Sequence, residues 1–181
     1  MRTLAVLPLL AACVATPCEP LSEVPIHGEP EERIGLIEAA IDTFDSWTSR
    51  DICLSSVELA DQAVTGEEYF GEYYPNRKLA RVVIGPEDSD AEITNTMWHE
   101  LCHAADHGLS DAYAALWIGA IDNPLLETDP YEDFAYLCAY GPDVLRAAAQ
   151  EECDQPSILV AAVQVLEAEV FDTEDRGPLC P

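Results

Sequence analysis

The sequence predicts an α+β domain: a small antiparallel or mixed sheet with an edge hairpin, packed on several helices, and a C-terminal part that is all helical. Three observations predict it. The stretch "EEYFGEYYPNRKLARVVIG", residues 67–85, sets aromatic and β-branched runs on either side of PNRK, which has turn chemistry. Apolar residues recur at three- and four-residue spacing on both sides of that hairpin, the period of helices with one buried face. From residue 90 onward the segments between breaks all read as helices.

The elements follow in order. "MRTLAVLPLLAAC" has one Arg, a short apolar run and then small residues, the layout of a secretory signal over residues 1–12. It is too short to span a bilayer as a helix. Leu10-Ala11-Ala12-Cys13 resembles a bacterial lipobox, which implies cleavage before Cys13 and lipid on its thiol. The protein is then expected in the bacterial cell envelope, lipid-anchored and facing the periplasm or the exterior; ordinary cleavage a few residues later is the alternative. Residues 13–30, with Pro17, Pro20, Pro25 and Pro30, read as a semi-extended tether in which His27 is solvated. Residues 31–181 form a single domain.

Ile34, Ile37, Ile41, Phe44 and Trp47 mark a first helix. "DICLSSVELAD" reads as a strand, and the hairpin follows. Ser89 or Asp90 caps a helix running from about Ala91 to His107, with Gly108 at its C-terminal end. "SDAYAALWIGAID" reads as a further helix and "NPLLETDP" as a break. "YEDFAYLCAYG" is helical and stops at Gly141-Pro142; "PDVLRAAAQEEC" and "PSILVAAVQVLEAEVFD" are last helices, each with Pro near its start.

Composition limits the partners. Apolar residues make up 49% of the 181, enough for a core, but 35 Asp and Glu face only 8 Lys and Arg, a net charge of −27. Such a chain repels nucleic acid and anionic lipid surfaces; the charge reads first as a solvated acidic surface, with attraction of cationic substrates as the other reading. It is expected to be a monomer. With Cys13 lipidated, Cys18, Cys53, Cys102, Cys138, Cys153 and Cys180 remain, an even number that reads as three disulfides in an exported chain, with fifteen pairings open.

The chemistry concentrates in "NTMWHELCHAADHG". His99-Glu100-Leu101-Cys102-His103 fits H-E-x-x-H. On a helix, four residues turn 400°, so the two imidazoles point within about 40° of each other, about 6 Å apart along the axis. Two imidazoles so placed can reach one zinc. Glu100 lies to the side of that face, able to act on a water there, while Met97 and Leu101 point the other way, into a core. Cys102 falls off the histidine face by about 80° and suits a disulfide. The alternatives are a solvated polar stripe or a hydrogen-bonded network without metal. A third ligand comes from His107 or Glu132, with Asp106, Asp129 and Asp133 behind them. On an unbroken helix His107 lies about 12 Å beyond His99, whereas donors around a tetrahedral zinc are about 3.3 Å apart.

"TMWHELCHAADH" resembles the active-site helix of zincin metallopeptidases, and the hairpin before it is similar to the edge-strand region of several of them. "PYEDFAYLCAYG" is similar to the second metal helix of the gluzincin branch; lethal-factor-type catalytic domains pair H-E-x-x-H-A-x-D with a later E-x-F-A in this way. The resemblance implies a zincin-like fold, one Zn2+ on His99, His103 and Glu132, and peptide-bond hydrolysis by a zinc-activated water with Glu100 as general base. The substrate, a peptide or protein, would lie extended along the edge strand, expected near Arg81–Ile84. Two positions depart from the pattern. Tyr136 stands where thermolysin-like members have Asp, and Leu125 where the lethal-factor type has Tyr. Tyr136 and Tyr140 are oxyanion candidates on spacing, with a core role as the alternative. If the two helices are the metal helices, Cys102 and Cys138 are placed to pair. The runner-up function is a catalytically silent zinc-binding lipoprotein with an adhesion or assembly role.

Overall fold

Alternation of side chains along short strands builds a four-stranded sheet: β1 (Ile26–Gly28), β2 (Ser56–Asp61), β3 (Gly71–Tyr74) and β4 (Leu79–Ile84), in the order β1-β2-β4-β3. β2 runs parallel to β1 and β4; β3 is antiparallel to β4 and forms the expected hairpin with it. Val57, Leu59, Ala80, Val82 and Ile84 share one buried face, as the period of two requires. The computed structural model describes residues 18, 20–48, 51–67, 69–108, 130–154, 157–172 and 176–180. The expected signal peptide, Cys13, the helix expected at 110–122, Leu125 and Asp129 lie outside them.

Six helices occur among the described residues: α1 (Ile34–Asp45), α2 (Gln62–Thr65), α3 (Asp90–Gly108), α4 (Pro130–Ala139), α5 (Pro142–Gln150) and α6 (Ile158–Glu169). None is long and apolar enough to cross a membrane. With the mixed sheet, they give the α+β architecture that the pattern predicts. α3 is the central element, packed on α1, α4, β3 and β4. It opens in a capping box: Ser89 Oγ accepts from the Glu92 N–H at 3.3 Å, and Glu92 Oε2 accepts from the Ser89 N–H at 2.8 Å. Its stripe Ile93, Met97 and Leu101 is buried, each large side chain contributing about 1.5–3 kcal/mol. Trp98 fixes its back to α1, donating Nε1–H to the Ala40 carbonyl at 2.9 Å and lying with its ring centroid 4.5 Å from that of Trp47.

The structure differs from the sequence reading at two places that matter. The proline-rich segment 13–30, expected as a tether, enters the fold from Leu21. Leu21 and Val24 are buried, and Ile26–Gly28 pairs with β2. The prolines flank this three-residue strand rather than interrupting it, and the Pro25 carbonyl accepts from the Val57 N–H at 2.9 Å. Gly28 sits at φ 112° with a Cβ position only 1.9 Å from the Leu59 oxygen, so no other residue fits. His27 is exposed, as expected. The second difference concerns the edge. Arg81–Ile84 belongs to β4, which pairs on both sides, so it cannot receive another strand; β3 is the outer strand.

The six cysteines pair as Cys18–Cys53, Cys102–Cys138 and Cys153–Cys180. The first joins the N-terminal segment to the chain ahead of β2, the second joins α3 to α4, and the third joins the end of α5 to the C-terminal segment.

Candidate metal centre

Helical spacing gives α3 two faces. Opposite its buried stripe, His99 and His103 project one turn apart, their Nε2 atoms 3.1 Å apart and their rings nearly perpendicular. α4 delivers the third donor. Phe134, Ala135 and Leu137 bury it in the core, and Cys138 ties it to Cys102 of α3. Glu132, in its first turn, is thereby held over both imidazoles. Oε2 lies 3.2 Å from His99 Nε2, and Oε1 lies 3.4 Å from His103 Nε2.

These separations match the edges of a zinc tetrahedron, about 3.3 Å for donors at about 2 Å. Two imidazoles and a carboxylate are also a donor set that zinc accepts. His99, His103 and Glu132 are the one such group among the described residues. Burial, and then neighbouring His103, push the His99 pKa down to about 4, against the opposing pull of Glu132. The ring is therefore neutral at pH 7, the form that ligates a metal. The residues fit a zinc ion.

Glu100 lies beside the three donors, only 3% exposed. Its Oε2 has no hydrogen-bond partner among the described residues. Burial, and then the charges of Glu132 and Glu72, raise its pKa to about 8. It is close to β3 because Gly71 has no side chain: a Cβ there would stand 2.5 Å from Glu100 Oε1 and 2.9 Å from Thr96 Cγ2. The donors and Glu100 line a cleft of about 730 Å³ between β3 and helices α3 and α4.

No known protein family, curated protein or solved structure matches this chain. The functional reading therefore rests on the residues themselves.

The other residues singled out by sequence fall as follows. His107 is exposed at the end of α3, its ring centroid 6.0 Å from that of Tyr73, and is not in the donor group. Asp106 and Asp133 are buried and likewise outside it. Tyr136 and Tyr140 are not core residues: both are about half exposed, because α4 turns that face outward. Tyr136 stands with its ring centroid 4.5 Å from that of His99 and lines the cleft; Tyr140 does not. Tyr131 also lines the cleft and is 43% exposed. Gly71 and Glu72 were not visible as site residues. The break that Gly71 makes in the aromatic run "YFGEYY" is the one local signal that backbone and a neighbour approach closely there.

Proposed function

We propose that the protein is a zinc-dependent metallopeptidase of the zincin type, in the gluzincin manner, held in the bacterial cell envelope by lipid on Cys13. The observation that carries the reading is the convergence of the two imidazole Nε2 atoms, 3.1 Å apart, with the Glu132 carboxylate, whose Oε2 is 3.2 Å from His99 and Oε1 3.4 Å from His103, beside a buried glutamate in an open cleft.

His99, His103 and Glu132 would hold the metal. Zinc, when bound, polarises a carbonyl and makes water acidic enough to attack it near pH 7. Glu100 takes the proton from the attacking water and returns it to the leaving amine. In the metal-free protein burial favours its neutral form; a divalent cation beside it favours the carboxylate that a base requires. The buried walls around Glu100 limit competing solvent. Among the described residues no strand pairs with the outer edge of β3, whose N–H and C=O groups would take an extended peptide. Of the two oxyanion candidates, Tyr136, against the His99 ring, is the one that lines the cleft.

The test is elemental analysis of the purified protein with digestion of a mixed peptide library, with and without chelator. Glu100→Gln should keep zinc and abolish cleavage. A zinc-loaded protein that cleaves nothing supports the silent binding lipoprotein instead. Mass spectrometry of the native N-terminus tests the anchor, and an unmodified chain starting after Ala15 would end that part.

A further inference from the structure

Register places one row of charge across the sheet. His27 of β1 is level with Glu58 of β2, Glu58 with Arg81 of β4, and Arg81 with Glu72 of β3. All four point away from the helices, because Gly71 and Tyr73, on the other face of β3, are the residues that meet α3. Arg81 is paired with Glu58 at 3.3 Å and with Glu67 at 2.7 Å. Glu72 makes no ion pair among the described residues; its hydrogen bond is from the Tyr74 hydroxyl, at 2.6 Å. It is exposed, on the outer strand, at the rim of the cleft.

Among the described residues no other cation is ion-paired with it either: Arg77, at the hairpin turn, lies over the Tyr74 ring, 5.7 Å from its centroid. Arg33, Arg146 and Arg176 are each paired with an acid away from the cleft. No Lys or Arg lines the cleft among the described residues, and residues 109–129 contain none in their sequence. Glu92 also lines it, but is committed to capping Ser89. Among the described residues the cleft thus has no Lys or Arg to pair with a substrate carboxylate, and it has a carboxylate without an ion pair on its open edge.

A strand laid along β3 would continue the row. Its side chain level with Glu72 would point to the same face, about 5 Å away between β-carbons, and its neighbour in sequence would point towards Gly71 and Glu100. We infer that the cleft selects extended peptides with a Lys or Arg side chain adjacent to the bond cleaved, and that Glu72 is the residue that selects it. Acidic peptides and recognition of a free C-terminal carboxylate are disfavoured by the same arrangement. This inference rests on the peptidase reading of the cleft.

The test measures binding without turnover. Zinc-loaded Glu100→Gln protein is titrated, by fluorescence anisotropy, into labelled ten-residue peptides identical apart from Lys, Gln or Glu at the fifth position. The Lys peptide should bind tightest, about five- to tenfold better than the Glu peptide. Adding Glu72→Gln should flatten the series, and adding Glu72→Arg should invert it. Equal binding of the three peptides, binding of none, or a Lys preference that survives Glu72→Arg would overturn the inference. The two readings fail separately. A charge preference in a protein that hydrolyses nothing sinks only the catalytic role, and hydrolysis without the preference sinks only the role of Glu72.

Discussion

The backbone of Gly71 lies so close to the carboxylate of Glu100 that a β-carbon at position 71 would stand 2.5 Å from Oε1. One residue of the outer strand thereby sets where the buried glutamate sits. Gly71→Ala should displace that carboxylate, or α3 with it. Hydrolysis of a library-derived peptide should fall by about tenfold to a hundredfold, the cost of small misplacements at a reacting centre. Zinc content should not change. An unaltered kcat/KM would show that Glu100 does not act from this position.

The metal ligands are separable from His107 by substitution. Loss of partners outside a metal's own ligands costs about ten- to a hundredfold in affinity, and loss of a ligand costs more. Glu132→Ala should therefore lose zinc at a concentration where His107→Ala, exposed and outside the donor group, retains it. Equilibrium dialysis measures both. The reverse result would assign the third ligand to the helix end.

Glu100 gives the metal-free protein a pH signature. Its pKa rises from 4.5 unfolded to about 8 folded. Between those values the folded state keeps a proton that the unfolded state has lost, so stability falls as pH rises through that window. His99 acts in the opposite sense: lowered from 6.5 to about 4, it adds stability as pH rises from about 4 to 6.5. Comparing wild type with Glu100→Gln leaves the His99 contribution common to both. The melting temperature of metal-free Glu100→Gln should exceed that of metal-free wild type by a margin that widens from pH 5 to pH 8. A constant margin would mean that the carboxyl group is not buried as described.

The Cys102–Cys138 bond closes a segment of sequence separation 36 and joins the helix of the two histidines to the helix of Glu132. Replacing both with Ala should lower the free energy of unfolding by about 4 kcal/mol, the entropy of a loop that size. It should also weaken zinc binding in chelator competition, since Glu132 loses its tie to α3. Unchanged zinc affinity would show that apolar packing alone holds α4 in place.

Much of this was legible in sequence because it is local. The period of Ile93, Met97 and Leu101 fixes which face of α3 is buried, and so which way His99 and His103 point. The hairpin and the Ser89 capping box are likewise written in neighbouring residues. What was not legible depends on pairing between distant segments. Whether Arg81–Ile84 or Gly71–Tyr74 is the outer strand depends on β2 docking beside β4, which no local pattern encodes. The strand Ile26–Gly28 is too short, and too closely bracketed by proline, to show a period of two. Tyr131 and Tyr136 are apolar enough to suggest a core, yet they stay outside because the turn of α4 that carries Glu132 must face the cleft.

An outer strand left open for a visiting peptide is open to every other strand as well, including that of a second copy of the same protein. Natural sheets guard such edges with charge. Glu72 meets that need: two copies meeting through β3 would bring like charges together, on chains that each carry −27. The carboxylate that would welcome a basic side chain is thus also a barrier to self-association, and neutralising it should make the protein more prone to aggregate, most visibly at high salt.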